Sequence, residues 1–506
     1  MSGEILVVPF HGQGHLFPCI ELCIHLAARN YHITLVLPSS FASSISPSVR
    51  HHPLIQIAEL SASSPPENDP HHHRFPPSNL SIESFSDFLS SRSNDRDSPP
   101  AVCAIVDMMM SWTHETFRKF KIPTVSFFTS GACSAAMEYA VWKIRQENPV
   151  PGLNLTLPGL PDDVRLTLSD LTHPGPPPPR HPGRGPPHRN HHGGGPPHRN
   201  HHWAGHPPPP PGAGKHGPPP SWIGETEGSM ALLMNTCEDL ERPFLDYVAK
   251  ETGKRVWGVG PLLPAQFWRS AHSVVHDGEI RSKRESNVSE DDVSKWLDSQ
   301  PRGSVVYVAF GTEVGPSKEE LEELAAGLEE SNRPFIWVLR SSAGRSGPPP
   351  PPPDIGDSGD DDFFPDGLAR RAEGRGLIIQ GWAPQLLILS HPSTAGFLTH
   401  CGWNSILEAL GRGVPLLAWP IRGDQHYNAK LVSSHLKVGL MIRAADGASA
   451  VKKDDVVRGI EGLMADDETR NRAAAIRSVF GHSFPASSSA SLDDFRGILE
   501  QICQQK

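Results

Sequence analysis

Thr399-His400-Cys401-Gly402-Trp403-Asn404-Ser405-Ile406-Leu407-Glu408 decides how this chain folds. Residues 396–399 form a short apolar run of strand length, and 405–410 carry helical spacing, with a glycine turn between them. A strand that passes through a glycine turn into a helix is the βα connection of a parallel sheet. Such a turn presents unpaired backbone N–H groups and the positive end of a helix dipole, a good seat for a diphosphate. Asn404 and Ser405 add side-chain donors there. Glu408 lies four residues past Asn404 and shares its helical face, where a carboxylate can accept hydrogen bonds from two ribose hydroxyls. A plainer duty suits the same residues equally: Asn404 and Ser405 as helix caps, Glu408 as an acid favoured by the dipole.

The neighbouring connections favour a ligand. Trp382-Ala383-Pro384-Gln385 offers an aromatic face for a base with an amide beside it, and Asp424-Gln425 offers a carboxylate and an amide for sugar hydroxyls. Around them, apolar runs predict strands at 305–310, 335–339, 376–380, 396–399 and 415–419, with helices at 318–330 and 405–410. The first half repeats the pattern, with strands at 5–10, 33–37, 101–106, 124–128, 231–235 and 256–259. The fold class is therefore α/β, with two doubly wound domains facing a cleft and ligands beyond the carboxyl ends of the strands. The expected division is 1–263 for the first domain, a polar linker at 264–290, 291–484 for the second, and a helix at 485–506 packing back on the first.

Composition agrees with this plan. A chain of 506 residues, 37% hydrophobic and 20% charged, is too long for one core but ample for two. A net charge of −10 disfavours nucleic acid and anionic membranes as partners. Seven cysteines scattered without a CxxC pair read as reduced thiols of a cytoplasmic protein. The first residues run directly into a strand rather than a signal peptide, and no apolar stretch is long enough for a membrane span, so a cytoplasmic monomer without membrane insertion is expected. Two segments stand apart. Residues 173–220 are rich in Pro, His and Gly and contain a direct repeat, 185–192 matching 195–202, while 347–362 joins a proline run to an acidic cluster. Both are expected as disordered inserts, and the His-rich repeat lacks the fixed spacing of a structural metal site.

Residues 382–425 resemble the signature box of the plant family-1 UDP-dependent glycosyltransferases. The likeness extends to 305–312, to 335–340, to Asn235-Thr236 before Glu238 and Leu240-Glu241, and to the N-terminal turn. It implies the GT-B fold, two Rossmann-like domains with the donor held by the second. It further implies that Trp382 stacks on uracil, that the Ala383 backbone and Gln385 fix the uridine, and that Glu408 holds the ribose. His400, Asn404, Ser405 and Thr312 would bind the diphosphate, Thr312 standing where the family more often has serine. Trp403, Asp424 and Gln425 would contact the sugar, with glutamine at the last position the family's usual mark of glucose preference. Thr129 matches a residue that contacts the donor's sugar or phosphate.

An acceptor hydroxyl needs a base, and histidine, whose unperturbed pKa is about 6.5, suits that task; His15 is expected at the end of the first strand. Asp107, ending the strand at 101–106, would orient it and stabilise the imidazolium, and both positions match the family's catalytic pair. His11 reads as a turn or pocket residue. The expected reaction is inverting transfer of glucose from UDP-glucose, a co-substrate, with no metal and no further cofactor. Apolar residues around 108–112 and 132–139 suit a flat aromatic acceptor such as a flavonoid, although a terpenoid or carbon–carbon glycosylation fits the same site. A nicotinamide dehydrogenase is disfavoured, because Phe17 replaces the third glycine of GxGxxG and Leu37-Pro38-Ser39 brings no acid to a ribose. A non-catalytic nucleotide-sugar-binding protein is the alternative from another class, and His15 with Asp107 argues against it.

Overall fold

The computed structural model describes the chain except residues 1–2, 43, 61–79, 96–98, 147–154, 167–218, 270–272, 278–279, 281–284, 312–314, 340–364, 366, 373, 445–449, 481–482 and 506. Thr312, the 347–362 loop and the 173–220 insert up to residue 218 lie outside the described residues.

Two parallel sheets form the frame. The first contains β1 (Glu4–Val8), β2 (His32–Pro38), β3 (Ile55–Leu60), β4 (Ala101–Asp107), β5 (Thr124–Phe128), β8 (Ala231–Met234) and β9 (Arg255–Gly258), in the order β3-β2-β1-β4-β5-β8-β9. A small antiparallel pair, β6 (Leu155–Thr156) and β7 (Arg165–Leu166), stands beside it. The second contains β10 (Val305–Ala309), β11 (Phe335–Leu339), β12 (Gly376–Gln380), β13 (Thr394–Thr399), β14 (Leu416–Ala418) and β15 (Gly439–Met441), in the order β12-β11-β10-β13-β14-β15. Central strands such as β1 and β10 are buried along their whole length, as strands covered on both faces must be. Each sheet is doubly wound, so the chain reverses direction beside its first strand, between β1 and β4 in one and between β10 and β13 in the other. Those two crevices are where such sheets place ligands.

Local signals account for several helices. The Lys318–Glu330 helix starts with a reciprocal capping box between Ser317 and Glu320. The Trp403–Arg412 helix ends at Gly413, whose φ of 69° is the left-handed cap that glycine supplies cheaply.

Some boundaries differ from expectation. Edge strand β3 carries polar Gln56 and Glu59 in its run, and β15 is only three residues long, so neither gives a clear apolar signal. The stretch read as a polar linker contains the Ala265–Arg269 helix, with Phe267 and Trp268 buried. Arg412 fastens this stretch to the second unit: its guanidinium donates to the Phe267 carbonyl at 2.7 Å and lies 4.2 Å from that ring's centroid.

The last helix, Ala486–Gln505, lies against the first sheet. Its Leu492, Phe495 and Leu499 join a core cluster with Ile5, Val7, Cys103 and Trp257, and Asp494 accepts the Trp257 indole N–H at 2.8 Å. Arg29 reaches the same helix through Asp493 and Ser489. A second buried cluster runs without a break from Ala136 and Leu240 in the first unit through Trp403 to Leu407 and Phe397 in the second.

Candidate active site

The first crevice opens between the ends of β1 and β4. Beyond β1, Gly12 takes an extended conformation and its carbonyl accepts from the N–H groups of His15 and Leu16, so the Gln13–Ala27 helix starts at once. His15 therefore stands in the first turn of that helix, a correction to its expected place at the strand end. Asp107 closes β4 and is fully buried. One of its oxygens accepts the Met109 N–H at 3.0 Å, and the other lies 2.8 Å from Nδ1 of His15. A carboxylate can only accept here, so the proton sits on Nδ1 and Nε2 is the nitrogen that can take another. Thr129, just past β5, brings its hydroxyl to 3.1 Å from the same Nδ1. The Phe10 ring meets His15 edge-on at 5.1 Å between centroids, while His11 turns toward Phe10 and Phe41.

The second crevice lies between β10 and β13. Register pairs Ala309 with Thr399, which sets Gly311 beside His400. A side chain at Gly311 or Gly402 would put its Cβ 2.6 Å or 2.5 Å from His400 Nε2, so the imidazole is held between two bare backbones. Cys401 adopts the left-handed region with φ of 65°, turning the chain sharply into the Trp403–Arg412 helix. Inside that helix Glu408 is buried and accepts Gln385 Nε2 at 2.7 Å. Gln385 also donates toward Ser405 at 3.3 Å and accepts the Tyr307 hydroxyl at 3.1 Å. Gln385, at the start of the Gln385–Ser390 helix, thus forms one polar set with Ser405 and Glu408 of the Trp403–Arg412 helix. Trp382 follows Gly381, whose φ is 92°, and its N–H donates to the Glu285 carbonyl at 3.0 Å. Ala383 is buried next to it. Asp424 accepts from Asn428 at 3.0 Å, and the Gln425 side-chain oxygen accepts the N–H groups of Ile421 and Arg422, fixing that loop.

The Gln385, Ser405 and Glu408 set belongs to the second unit and the His15–Asp107 pair to the first, and Asn404 of the same helix reaches the Gly14 carbonyl beside His15. A family model described as UDP-glucoronosyl and UDP-glucosyl transferase matches residues 244–481. Scopoletin glucosyltransferase of Nicotiana tabacum is 29% identical, over 74% of this chain and 70% of its own. Anthocyanin 3'-O-beta-glucosyltransferase of Gentiana triflora is 27% identical, over 94% of this chain and 93% of its own. In fold, the chain superposes on Phytolacca americana UGT2 complexed with UDP-2fluoro-glucose and pterostilbene, with a TM-score of 0.67, 24% identity and 99% of each chain covered. The chain is thus similar along most of its length to plant UDP-dependent glycosyltransferases, and residues 244–481 carry the match to their family model. Its two facing sheets are those of the GT-B fold.

Two residues expected at the donor each make a hydrogen bond to the first unit. Trp403, expected at the sugar, buries its indole and donates Nε1–H to the Asn235 carbonyl of the first unit at 2.7 Å. Asn404, expected at the diphosphate, donates its amide to the Gly14 carbonyl at 3.1 Å. The sequence also promised an apolar wall at 108–112 and 132–139. Met110 and Ala132, Cys133, Ala135, Ala136 and Met137 are buried in the core instead, because they face the sheet or the neighbouring helix; Met108 and Tyr139 are half-buried.

Residues that went unassigned in the sequence include Tyr307, Asn235 and Glu241. Glu241 is buried and accepts the N–H groups of Ala132 and Cys133, at the start of the Ala132–Gln146 helix. Burial raises its pKa, and the Thr236 hydroxyl and those two N–H groups oppose the shift. No group of three or more His, Cys, Asp or Glu side chains suited to a metal occurs among the described residues, and no described helix is long and apolar enough to cross a membrane.

Proposed function

We propose that the protein transfers glucose from UDP-glucose to a hydroxyl of a small aromatic acceptor, with inversion and with His15 as the base. The observation that carries this reading is the 2.8 Å contact of His15 with buried Asp107, at the crevice facing the Trp403–Arg412 helix. Nε2 of His15 takes the acceptor's O–H proton as that oxygen forms its bond to the anomeric carbon. The bond from that carbon to the UDP oxygen breaks, and the departing electron pair goes to the diphosphate. Asp107 stabilises the imidazolium that results. The N-terminal end of the Trp403–Arg412 helix, with His400 and Ser405, absorbs the growing phosphate charge. Trp382, Ala383 and Gln385 hold the uridine and Glu408 the ribose, while Asp424 and Gln425 face the sugar.

Relatives named for scopoletin and anthocyanin support a phenolic acceptor, such as a flavonoid. The test is UDP release from UDP-glucose with pooled flavonoids, coumarins and triterpenes, with His15→Ala alongside and products weighed by mass spectrometry. Acceptor-dependent release with a gain of one hexose, lost in the variant, is the expected result. UDP binding without release from any acceptor would refute the reading.

A further inference from the structure

We infer that Trp403 is a positioning residue for transfer: its indole N–H, seated on the Asn235 carbonyl, fixes the donor-side helix against the first unit at a point linked through Thr129 to the base. The inference rests on the proposed function and adds the means by which two domains share one reaction geometry.

The seat is rigid on both sides. Asn235 is fully buried just beyond β8. Its side chain donates to the Thr129 carbonyl at 3.3 Å and accepts the Leu262 N–H at 2.8 Å, so its backbone has little freedom. Thr129 in turn places its hydroxyl 3.1 Å from His15 Nδ1. One chain of contacts therefore runs from Trp403 through Asn235 and Thr129 to His15 and Asp107. The indole ring is confined as well. A Cβ at Gly131 would lie 2.7 Å from two of its carbons and 2.6 Å from Glu241 Oε2. Glu241 is fixed by two backbone N–H groups and leaves the ring nowhere to retreat.

A second tie starts one residue later. Asn404 donates to the carbonyl of Gly14, the residue before His15. The first two residues of the donor-side helix are thus bound to the first unit at two points, the Asn235 carbonyl beyond β8 and the Gly14 carbonyl beside the base. A misplacement of that helix by a fraction of an ångström separates acceptor oxygen from anomeric carbon, which costs rate and not donor binding. Trp403→Phe removes the N–H while keeping an aromatic ring, and leaves the Asn235 carbonyl buried without that donor.

The experiment measures kcat, KM for each substrate, UDP affinity by calorimetry and thermal midpoint in wild type, Trp403→Phe and Gly131→Ala. Gly131→Ala crowds the indole at Cζ2 and Cη2 while keeping its N–H and so tests the seat by a second route. Spin labels across the cleft give an interdomain distance that needs no turnover. For both variants kcat is expected to fall about tenfold, in line with loss of one buried hydrogen bond, while UDP affinity stays within about twofold. The interdomain distance distribution is expected to broaden. Unchanged kcat with an unchanged distance distribution would overturn the inference, as would parallel losses of kcat and UDP affinity. A wild type that transfers no sugar while the distance still broadens in the variants refutes the proposed function and leaves the tie standing.

Discussion

Nδ1 of His15 lies 2.8 Å from Oδ2 of Asp107, although 92 residues separate them in the chain. The fold makes the pair by placing β1 beside β4, with Val8 opposite Val106, so that both strands end at one crevice. His15→Ala is expected to lower kcat by about 10²–10⁴-fold with UDP affinity retained, as loss of a general base does. Asp107→Asn is expected to fall in the same range. The double variant should be little worse than the worse single one, because the two residues act as a unit. Additive losses in steady-state kinetics would separate their roles.

Gly311 tests the diphosphate side. Its φ of 75° and the 2.6 Å approach of His400 leave no room for a methyl group. Gly311→Ala should cost about 1–2 kcal/mol in backbone strain alone and displace His400. The expected outcome is a raised KM for UDP-glucose, with acceptor KM unchanged at saturating donor.

Glu408 tests the ribose assignment. It shares a hydrogen bond with Gln385 inside the fold, so Glu408→Ala also frees the amide that is expected at the uridine. UDP affinity measured by calorimetry should weaken about 10- to 100-fold, since hydrogen bonds to a charged group are the stronger kind. Uridine monophosphate should lose a similar factor. If only UDP-glucose weakened, Glu408 would belong to the sugar.

Two histidines outside the site predict an acid limit on stability. His114 lies between the hydroxyls of Thr124 and Ser126, and burial, followed by the charge of Lys254, lowers its pKa to about 4. His25 stacks near Phe484 and is held at about 4 by burial and then by Arg29. Both values are below the ordinary 6.5, so at any pH between them unfolding takes up protons. Stability is therefore full above about 6.5 and falls as pH drops toward 4. Urea midpoints at pH 7, 6 and 5 should decline, and His114→Gln should flatten the decline.

The parallel sheets were legible because buried strands such as Val305-Val306-Tyr307-Val308-Ala309 are continuous apolar runs between helical stretches. Helix spacing paired Glu408 with Asn404, whereas in the structure Gln385 of a neighbouring helix meets Glu408 and Ser405, and Asn404 reaches Gly14, because contacts between helices are not written in the spacing of one. The bond from Trp403 to the first unit was not legible, for a physical reason. The position of Trp403 beside the diphosphate turn is a local property, whereas the carbonyl that receives its indole belongs to a residue 168 positions away. Met110 and Ala136 were misread similarly, since apolar character does not say whether a side chain faces a ligand or a neighbouring helix. The Ala265–Arg269 helix was hidden because only two of its residues are strongly apolar and its fastening depends on Arg412.

The return of the last helix to the first sheet sets an order on synthesis. Leu492, Phe495 and Leu499 complete a core whose other members include Ile5 and Val7, at the opposite end of the chain. The core of the half translated first is thus completed only once residues 486–505 have been made. Until then the face of β4 and β9 against which that helix packs stays uncovered, and the nascent chain must carry it through the whole making of the second half.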